Sequence, residues 1–128
     1  MSLETVLAYI LTSPATWSIL AYNINHATVF KVRTSTLAIA VNLLIGAKPR
    51  SASTAIGYYL RNEAWLNELG LSLVEHRSGG VHGTGTYIIR IVNRVKALCA
   101  NARYAELLGF TIHNSAHCQE ARHRRHPQ

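Results

Sequence analysis

Residues 48–92 read KPRSASTAIGYYLRNEAWLNELGLSLVEHRSGGVHGTGTYIIRIV, and this stretch decides the fold. Its first half places small and apolar residues at helical spacing. Residues 86–92 instead alternate like a strand and are rich in β-branched side chains. Between the two halves lies a run of glycines, which is typical of a long hairpin tip. We therefore predict a helix that leads into a two-stranded hairpin over residues 71–92.

A short turn, residues 47–50, joins this helix to an earlier apolar segment, LAIAVNLLIGA. Gly46 is the predicted left-handed stop of the earlier helix, and Ser51 is the predicted N-cap of the later one. Two helices joined by so few residues must cross at a large angle, which is the geometry of a helix-turn-helix. Because the earlier helix is nearly apolar all round, we predict that it is the most buried element.

The helix after the turn has two different faces. Ala52, Ile56 and Leu60 recur at four-residue steps and should face the earlier helix. The opposite face is polar and cationic, and it carries Ser51, Thr54, Tyr58, Arg61 and Asn62. Such side chains can hydrogen-bond phosphates or base edges in a major groove, where arginine pairs with guanine and asparagine with adenine. The alternative is an ordinary solvated helix face.

The segments on either side complete a mainly helical α+β domain. Two N-terminal helices are predicted, one over residues 3–12 and a second that begins at Ser13 and Pro14. Residues 27–33 are rich in β-branched side chains and predict a short strand or an extended connection. Asn93 is the predicted cap of a last helix over residues 94–108.

Two questions remain open at the C-terminal end. The last helix has a narrow apolar seam, which either packs on its own domain or joins a second copy together with the N-terminal helices. Residues 111–128 predict a flexible basic tail that grips phosphates. The alternative for this tail is a zinc site that uses His113, His117 and Cys99.

Charge favours a polyanionic partner. The chain has 13 Lys and Arg against 6 acidic residues, a formal net charge of +7. Nucleic acid is the commonest partner of such a small basic protein; an anionic membrane surface and a merely soluble basic protein are the alternatives. The longest apolar tract, residues 6–24, is interrupted by polar residues and a proline, so we expect no membrane span. Cys99 and Cys118 do not make a disulfide framework, which predicts free thiols and a reducing, cytoplasmic location.

The glycines of the hairpin tip raise the possibility of a nucleotide site. Their spacing, Gly79, Gly80, Gly83 and Gly85, matches neither a Walker loop nor a dinucleotide fingerprint, and no helix follows them directly. A basic hairpin that lies along a DNA backbone explains the glycines together with Arg77 and His82.

The same residues carry a family resemblance. From Pro49 to Ile91 the chain has a helix start of small residues, and it then places five motifs in order. These are Leu60-Arg61, Leu69-Gly70-Leu71, Glu75-His76-Arg77, Ser78-Gly79-Gly80 and Tyr87-Ile88-Ile89-Arg90-Ile91. This pattern resembles the winged-helix module of primase and helicase proteins from phages and mobile elements, and winged-helix regulators more generally.

The resemblance implies one winged helix-turn-helix domain over residues 1–110. Its helix-turn-helix would span residues 35–69, its wing residues 71–92 and its final helix residues 94–108. In such domains a short strand before the helix-turn-helix often pairs with the wing. The resemblance implies no catalytic centre, because the primase and helicase centres of those proteins lie in other domains.

The sequence thus predicts a noncatalytic protein that binds double-stranded DNA, as a transcriptional regulator or a replication accessory factor. It would need no cofactor or metal. The predicted contacts are Lys48, Arg50, Ser51, Ser53, Thr54, Tyr58, Arg61 and Asn62 on the helix, Arg77 and His82 in the wing, and Arg122, Arg124 and Arg125 in the tail.

Two other classes of function stay open. One is a protein-interaction module, for example a phage-type inhibitor of a host protein. The other is an enzyme, for which the support is weakest, because the chain has no aspartate and its glutamates are scattered.

Overall fold

The computed structural model describes residues 2–13, 29–79, 85–110 and 118. The helices are α1 (Leu3–Thr12), α2 (Thr34–Ile45), α3 (Pro49–Leu60), α4 (Glu63–Glu68) and α5 (Arg94–Leu107), and the strands are β1 (Val29–Arg33), β2 (Leu71–Arg77) and β3 (Thr86–Ile91). The predicted class, a mainly helical α+β protein, is confirmed. The predicted second helix from Pro14, the hairpin tip at residues 80–84 and the tail beyond residue 110 lie outside the described residues, apart from Cys118.

The strands form one antiparallel sheet in the order β1-β3-β2. β1 pairs with β3, which confirms the expected partnership between the early strand and the hairpin. Since cross-strand partners share a face, the register places Phe30, Val32, Tyr87 and Ile89 on an inner face that is buried. A bulge between Leu73 and Glu75 shifts the register of β2 by one residue.

α1 and α5 pack on each other and close one side of the core. Ser2 caps α1 by accepting a hydrogen bond from the Thr5 N–H, and the helix buries Val6, Leu7, Ile10 and Leu11. Past the end of α5, Phe110 stacks on Tyr9 with ring centroids 5.3 Å apart. Within the apolar seam of α5, Ala102 and Ala105 are buried in the chain, whereas Val95 is 57% exposed, so a second copy at this seam stays a prediction.

The expectation for α2 is wrong. This helix is apolar almost all round, yet only Thr34, Leu37, Ala38 and Val41 are buried, and Leu43 is 80% exposed and Ile39 59% exposed. The reason is geometric: α2 packs on α3 and α1 by one side, and composition alone does not create a partner for the other side. Its predicted stop is confirmed, because Gly46 has a φ of 72° and donates its N–H to the Asn42 carbonyl.

Gly70 fixes the base of the hairpin. Its φ is 71°, a left-handed conformation that glycine adopts without strain. Its carbonyl accepts hydrogen bonds from the N–H groups of Val92 (2.9 Å) and Asn93 (3.1 Å), where β3 ends and α5 is about to begin. Asn93 in turn caps α5, as predicted, by accepting from the Lys96 N–H.

The expectation of free thiols is also wrong. Cys99 on α5 and Cys118 form a disulfide, with Cα atoms 5.1 Å apart. Cys118 is buried beside the helix, which places two thiols that are distant in sequence within bonding reach. The cysteines therefore give no support to a reducing location. In the part of the chain that the structure describes, the helices are too short or too polar to cross a membrane.

Candidate nucleic-acid interface

α3 presents the predicted contact residues on one side. Ala52, Ile56 and Leu60 are buried against the domain, as their spacing predicts. The exposed side carries Arg50, Ser51, Thr54 and Tyr58, with Lys48 just before the helix, Arg61 just after it and Ser53 half-buried at the margin. One detail differs from the prediction: α3 begins at Pro49 with Lys48 as its N-cap residue, so Ser51 lies inside the helix and caps nothing.

The helix starts early because Pro49 occupies its first turn, where the missing N–H removes no intrahelical hydrogen bond. No side chain caps this end, so backbone N–H groups at the start of α3 keep their donor capacity. The positive end of the helix dipole therefore adds to the charges of Lys48 and Arg50.

The hydroxyl groups on this side are partly committed. Ser53 Oγ donates to the Pro49 carbonyl at 2.9 Å, and Thr54 Oγ1 donates to the Arg50 carbonyl at 3.4 Å. Each oxygen keeps its acceptor lone pairs. Both hydroxyls can thus accept from a ligand without disturbing the helix.

Tyr58 is the largest exposed side chain of α3. It is 67% exposed and meets Tyr59 edge to face, with ring centroids 5.4 Å apart. Tyr59 packs in turn against the buried Trp65. Tyr58 therefore contacts the domain through Tyr59 while most of the residue stays exposed, which suits a phosphate or base contact.

Asn62 has a structural role in addition to the contact that was predicted for it. Its side-chain oxygen accepts a hydrogen bond from the backbone N–H of Trp65 at 3.1 Å, so Asn62 is the N-cap of α4. Its amide nitrogen is the only part left to reach a ligand. The sequence carried the signal, since Asn62 directly precedes the helix-forming run at residues 63–68.

A cluster of four residues joins α3 to the hairpin: Gly57, Arg61, His76 and Tyr87. Arg61 donates to the Gly57 carbonyl at 3.2 Å and to His76 Nδ1 at 3.4 Å, and its guanidinium lies 5.7 Å from the centre of the Tyr87 ring. His76 stacks on Tyr87 with centroids 4.3 Å apart. Because arginine only donates, this hydrogen bond requires His76 Nδ1 to be the acceptor.

This cluster was not predicted as a unit, although each member has a signal in the sequence. Gly57 precedes Arg61 by one helical turn, and a methyl group at residue 57 would lie 3.0 Å from the Arg61 guanidinium. His76 and Tyr87 share the inner sheet face because they are cross-strand partners. The cluster ties the end of α3 to the hairpin, so the two elements present their cations in a fixed relation.

The other predicted contacts are less favourably placed or outside the described residues. Arg77 is exposed but forms an ion pair with Glu75 at 3.0 Å. An exposed pair of this kind is weak, so a phosphate can compete for the arginine. His82, Arg122, Arg124 and Arg125 lie outside the described residues.

The distribution of charge favours an anion at α3. No acidic residue lies between Glu4 and Glu63, so β1, α2 and α3 carry none. Over residues 2–13, 29–79, 85–110 and 118, no group of three or more His, Cys, Asp and Glu side chains is arranged to hold a metal ion. The histidines of the zinc alternative, His113 and His117, are not among them.

Comparison with known proteins gives no relative: no family model, no curated protein and no solved structure matches this chain. Any assignment of function therefore depends on the geometry and charge of the site itself.

Proposed function

We propose that this chain is a noncatalytic DNA-binding protein of the winged-helix type. In this proposal α3 enters the major groove of a duplex, and the β2–β3 hairpin, the wing, lies along the phosphate backbone. The observation that carries the proposal is the exposed, acid-free face of α3 and its connection through Arg61 to the wing. The protein would act in the cytoplasm as a transcriptional regulator or a replication accessory factor.

The dimensions of α3 support this docking. Its 12 residues span about 18 Å, and a helix fits the major groove of B-DNA, which is about 12 Å wide. Arg50 lies in the first turn of α3 and Arg61 directly follows its last residue, so cations mark both ends of the helix. Thr54 and Tyr58 lie between them on the exposed side, where side chains of a docked helix meet base edges.

The order of elements supports the proposal as well. In a winged helix, two crossing helices precede a hairpin whose inner strand also pairs with an early strand. Here α2 packs on α3, and β1 pairs with β3. The fold alone does not imply binding, so the charge on α3 is the stronger support.

Duplex binding at two salt concentrations tests the proposal. Anisotropy of a labelled random-sequence duplex should show an affinity that falls steeply between about 50 and 200 mM salt. Arg50→Gln should weaken binding about 5- to 30-fold and reduce the salt slope by about one unit. Arg103→Gln, an equal change of charge on α5, is the matched control and should change affinity less than about threefold. If the wild type binds no duplex at low salt, the proposal is wrong.

A protein-interaction module is the second candidate, and one observation favours it. Ile39 and Leu43 of α2 are 59% and 80% exposed and lie one helical turn apart on the same side. Exposed apolar neighbours of this kind are typical of a protein contact. If Ile39→Ser/Leu43→Ser abolishes a stable complex recovered by affinity capture while no duplex binds, this second function replaces the first.

A further inference from the structure

The sheet has a second face, which points away from the helical core. Cross-strand pairing places Lys31 opposite Ile88 and Arg33 opposite Thr86, and it places Arg90 between Val29 and Ser72. We call this side the outer sheet face; its strand residues are Val29, Lys31, Arg33, Ser72, Glu75, Arg77, Thr86, Ile88 and Arg90.

The outer sheet face is strongly cationic. Lys31, Arg33 and Arg90 are all exposed. Glu75 is the one carboxylate among the strand residues of this face, and it already pairs with Arg77. Three cations therefore remain without a carboxylate from the described strands beside them. Such an excess of one sign attracts an extended anion.

The outer sheet face and α3 point in different directions. His76 and Tyr87, on the inner face of the same sheet, contact Arg61 at the end of α3. A residue that alternates with them along a strand points to the opposite side. A duplex held by α3 and the wing can reach the outer sheet face at its tip end, where Arg77 lies, and leaves Lys31 and Arg90 farther along the strands able to meet a second ligand.

The chemistry of the face fits a phosphate backbone. No strand residue on it is aromatic, so it offers no platform for stacking bases. Lys31 and Arg33 lie about 7 Å apart along β1, and both side chains are long enough to reach neighbouring phosphates of one DNA strand. Ile88, between Lys31 and Glu75, is 8% exposed, whereas Val29 at the edge of the face is 37% exposed, so the apolar surface that the face offers to a membrane lies only at its margin.

Protection of a sheet edge does not explain this pattern. Charged side chains on an edge strand prevent pairing with other chains, and β1 is an edge strand of the described sheet. A positive or a negative charge on the edge strand would serve that role equally well. Arg90 lies on the central strand β3, where edge protection does not apply.

We propose that the outer sheet face binds the phosphate backbone of a second DNA duplex, so that one chain bridges two duplexes. This inference rests on the proposed function, because α3 holds the first duplex. Contacts to phosphates carry no sequence information, so the second duplex is bound without sequence preference.

A bridging assay with the full chain tests this. Donor-labelled and acceptor-labelled random duplexes are mixed with the protein, and energy transfer between them reports bridging, while anisotropy of one duplex reports simple binding. The test variant is Lys31→Gln/Arg90→Gln, because glutamine keeps part of the aliphatic stem. The matched control, Lys96→Gln/Arg103→Gln, removes the same charge from α5.

The wild type and the control should bridge, whereas the test variant should lose at least about tenfold in bridging efficiency and keep single-duplex affinity within about threefold. If the test variant bridges as well as the control, the inference is wrong and a homodimer joins the duplexes. If the wild type binds one duplex but never bridges, the inference fails while the proposed function stands. If the test variant loses binding to anionic vesicles but bridges duplexes normally, the face binds membrane lipid and the inference is also wrong. Absence of any duplex binding overturns the proposed function itself.

Discussion

Replacing Gly57 with alanine probes the contact that joins α3 to the hairpin. Gly57 is a buried residue inside α3, where alanine is normally favoured over glycine by about 1 kcal/mol. Here the added methyl group would lie 3.0 Å from Arg61 Nη1 and 3.2 Å from the Tyr87 hydroxyl. Both are ends of side chains, so the backbone can stay in place while the Arg61 guanidinium moves away.

The displacement has a calculable effect on stability. Moving the guanidinium removes its hydrogen bond to the Gly57 carbonyl, worth roughly 0.5–1 kcal/mol at an exposed arginine. It also removes the cation–π contact with Tyr87, worth about 0.5–1 kcal/mol. These losses cancel or exceed the gain in helix propensity, so Gly57→Ala should change the free energy of unfolding by between about 0 and −1 kcal/mol. In an Arg61→Ala background only the Tyr87 hydroxyl, 3.2 Å from the new methyl group, has to shift slightly, so the same change should stabilise by up to about 1 kcal/mol.

Urea unfolding of four proteins measures this directly: wild type, Gly57→Ala, Arg61→Ala and the double variant, followed by far-ultraviolet circular dichroism. The double-mutant cycle should give a coupling of about 1–2 kcal/mol between the two residues. A gain of about 1 kcal/mol from Gly57→Ala in both backgrounds, with a coupling below about 0.5 kcal/mol, would show that Arg61 does not pack as described.

Three further changes test other parts of the fold by the same unfolding assay. Gly70→Ala should destabilise the protein by about 2–4 kcal/mol, since its left-handed backbone disfavours a side chain and the new Cβ meets the Asn93 carbonyl. A loss below about 1 kcal/mol would refute this turn. Cys99→Ser should cost about 3 kcal/mol, because the disulfide closes a loop with a sequence separation of 19. Reductant should lower the free energy of unfolding of the wild type to the same level. If reductant has no effect on the wild type, the disulfide is contradicted. Trp65→Phe should cost less than about 1.5 kcal/mol, because the buried indole N–H has no acceptor among the described residues. Trp65→Ala removes the whole ring and should cost about 3–5 kcal/mol. A loss above about 2 kcal/mol for Trp65→Phe would mean that the indole N–H is bonded.

Features that depend on neighbouring residues were predictable from the sequence. Gly46 and Gly109 end their helices with positive φ, and Asn93 caps α5, as their positions beside periodic apolar runs indicate. The alternation of residues 86–91 also predicted a strand, although burial does not alternate along it, because Ile88 is buried together with Tyr87 and Ile89. Such features are set by local backbone preferences, which a single sequence contains.

Features that depend on distant partners were not predictable. Leu43 is apolar yet exposed, because burial requires an opposing element that composition does not reveal. The alternation of apolar and polar residues does not reveal the bulge in β2. The register that pairs His76 with Tyr87 could therefore not be predicted. Cys99 and Cys118 were judged by their number, whereas the disulfide depends on the distance between them in the fold.

The candidate site was predicted in outline and not in its internal contacts. The exposed side of α3 follows from helical periodicity, which explains why Arg50 and Tyr58 are where the sequence indicates. Asn62 and Arg77 also have protein partners. Asn62 bonds the backbone N–H of Trp65, and Arg77 pairs with the Glu75 carboxylate. Partners of this kind depend on how the chain turns after α3, which periodicity does not describe.

The location of duplex contacts on the protein tests the central claim most directly. Amide chemical shifts of the isotope-labelled chain, measured by nuclear magnetic resonance with one equivalent of a random duplex, should change most along residues 48–61 and near His76 at the end of β2. The amides of α5 should change little. Changes confined to the exposed side of α2 around Leu43, or the absence of any change at low salt, would contradict the claim that α3 is the DNA-binding helix.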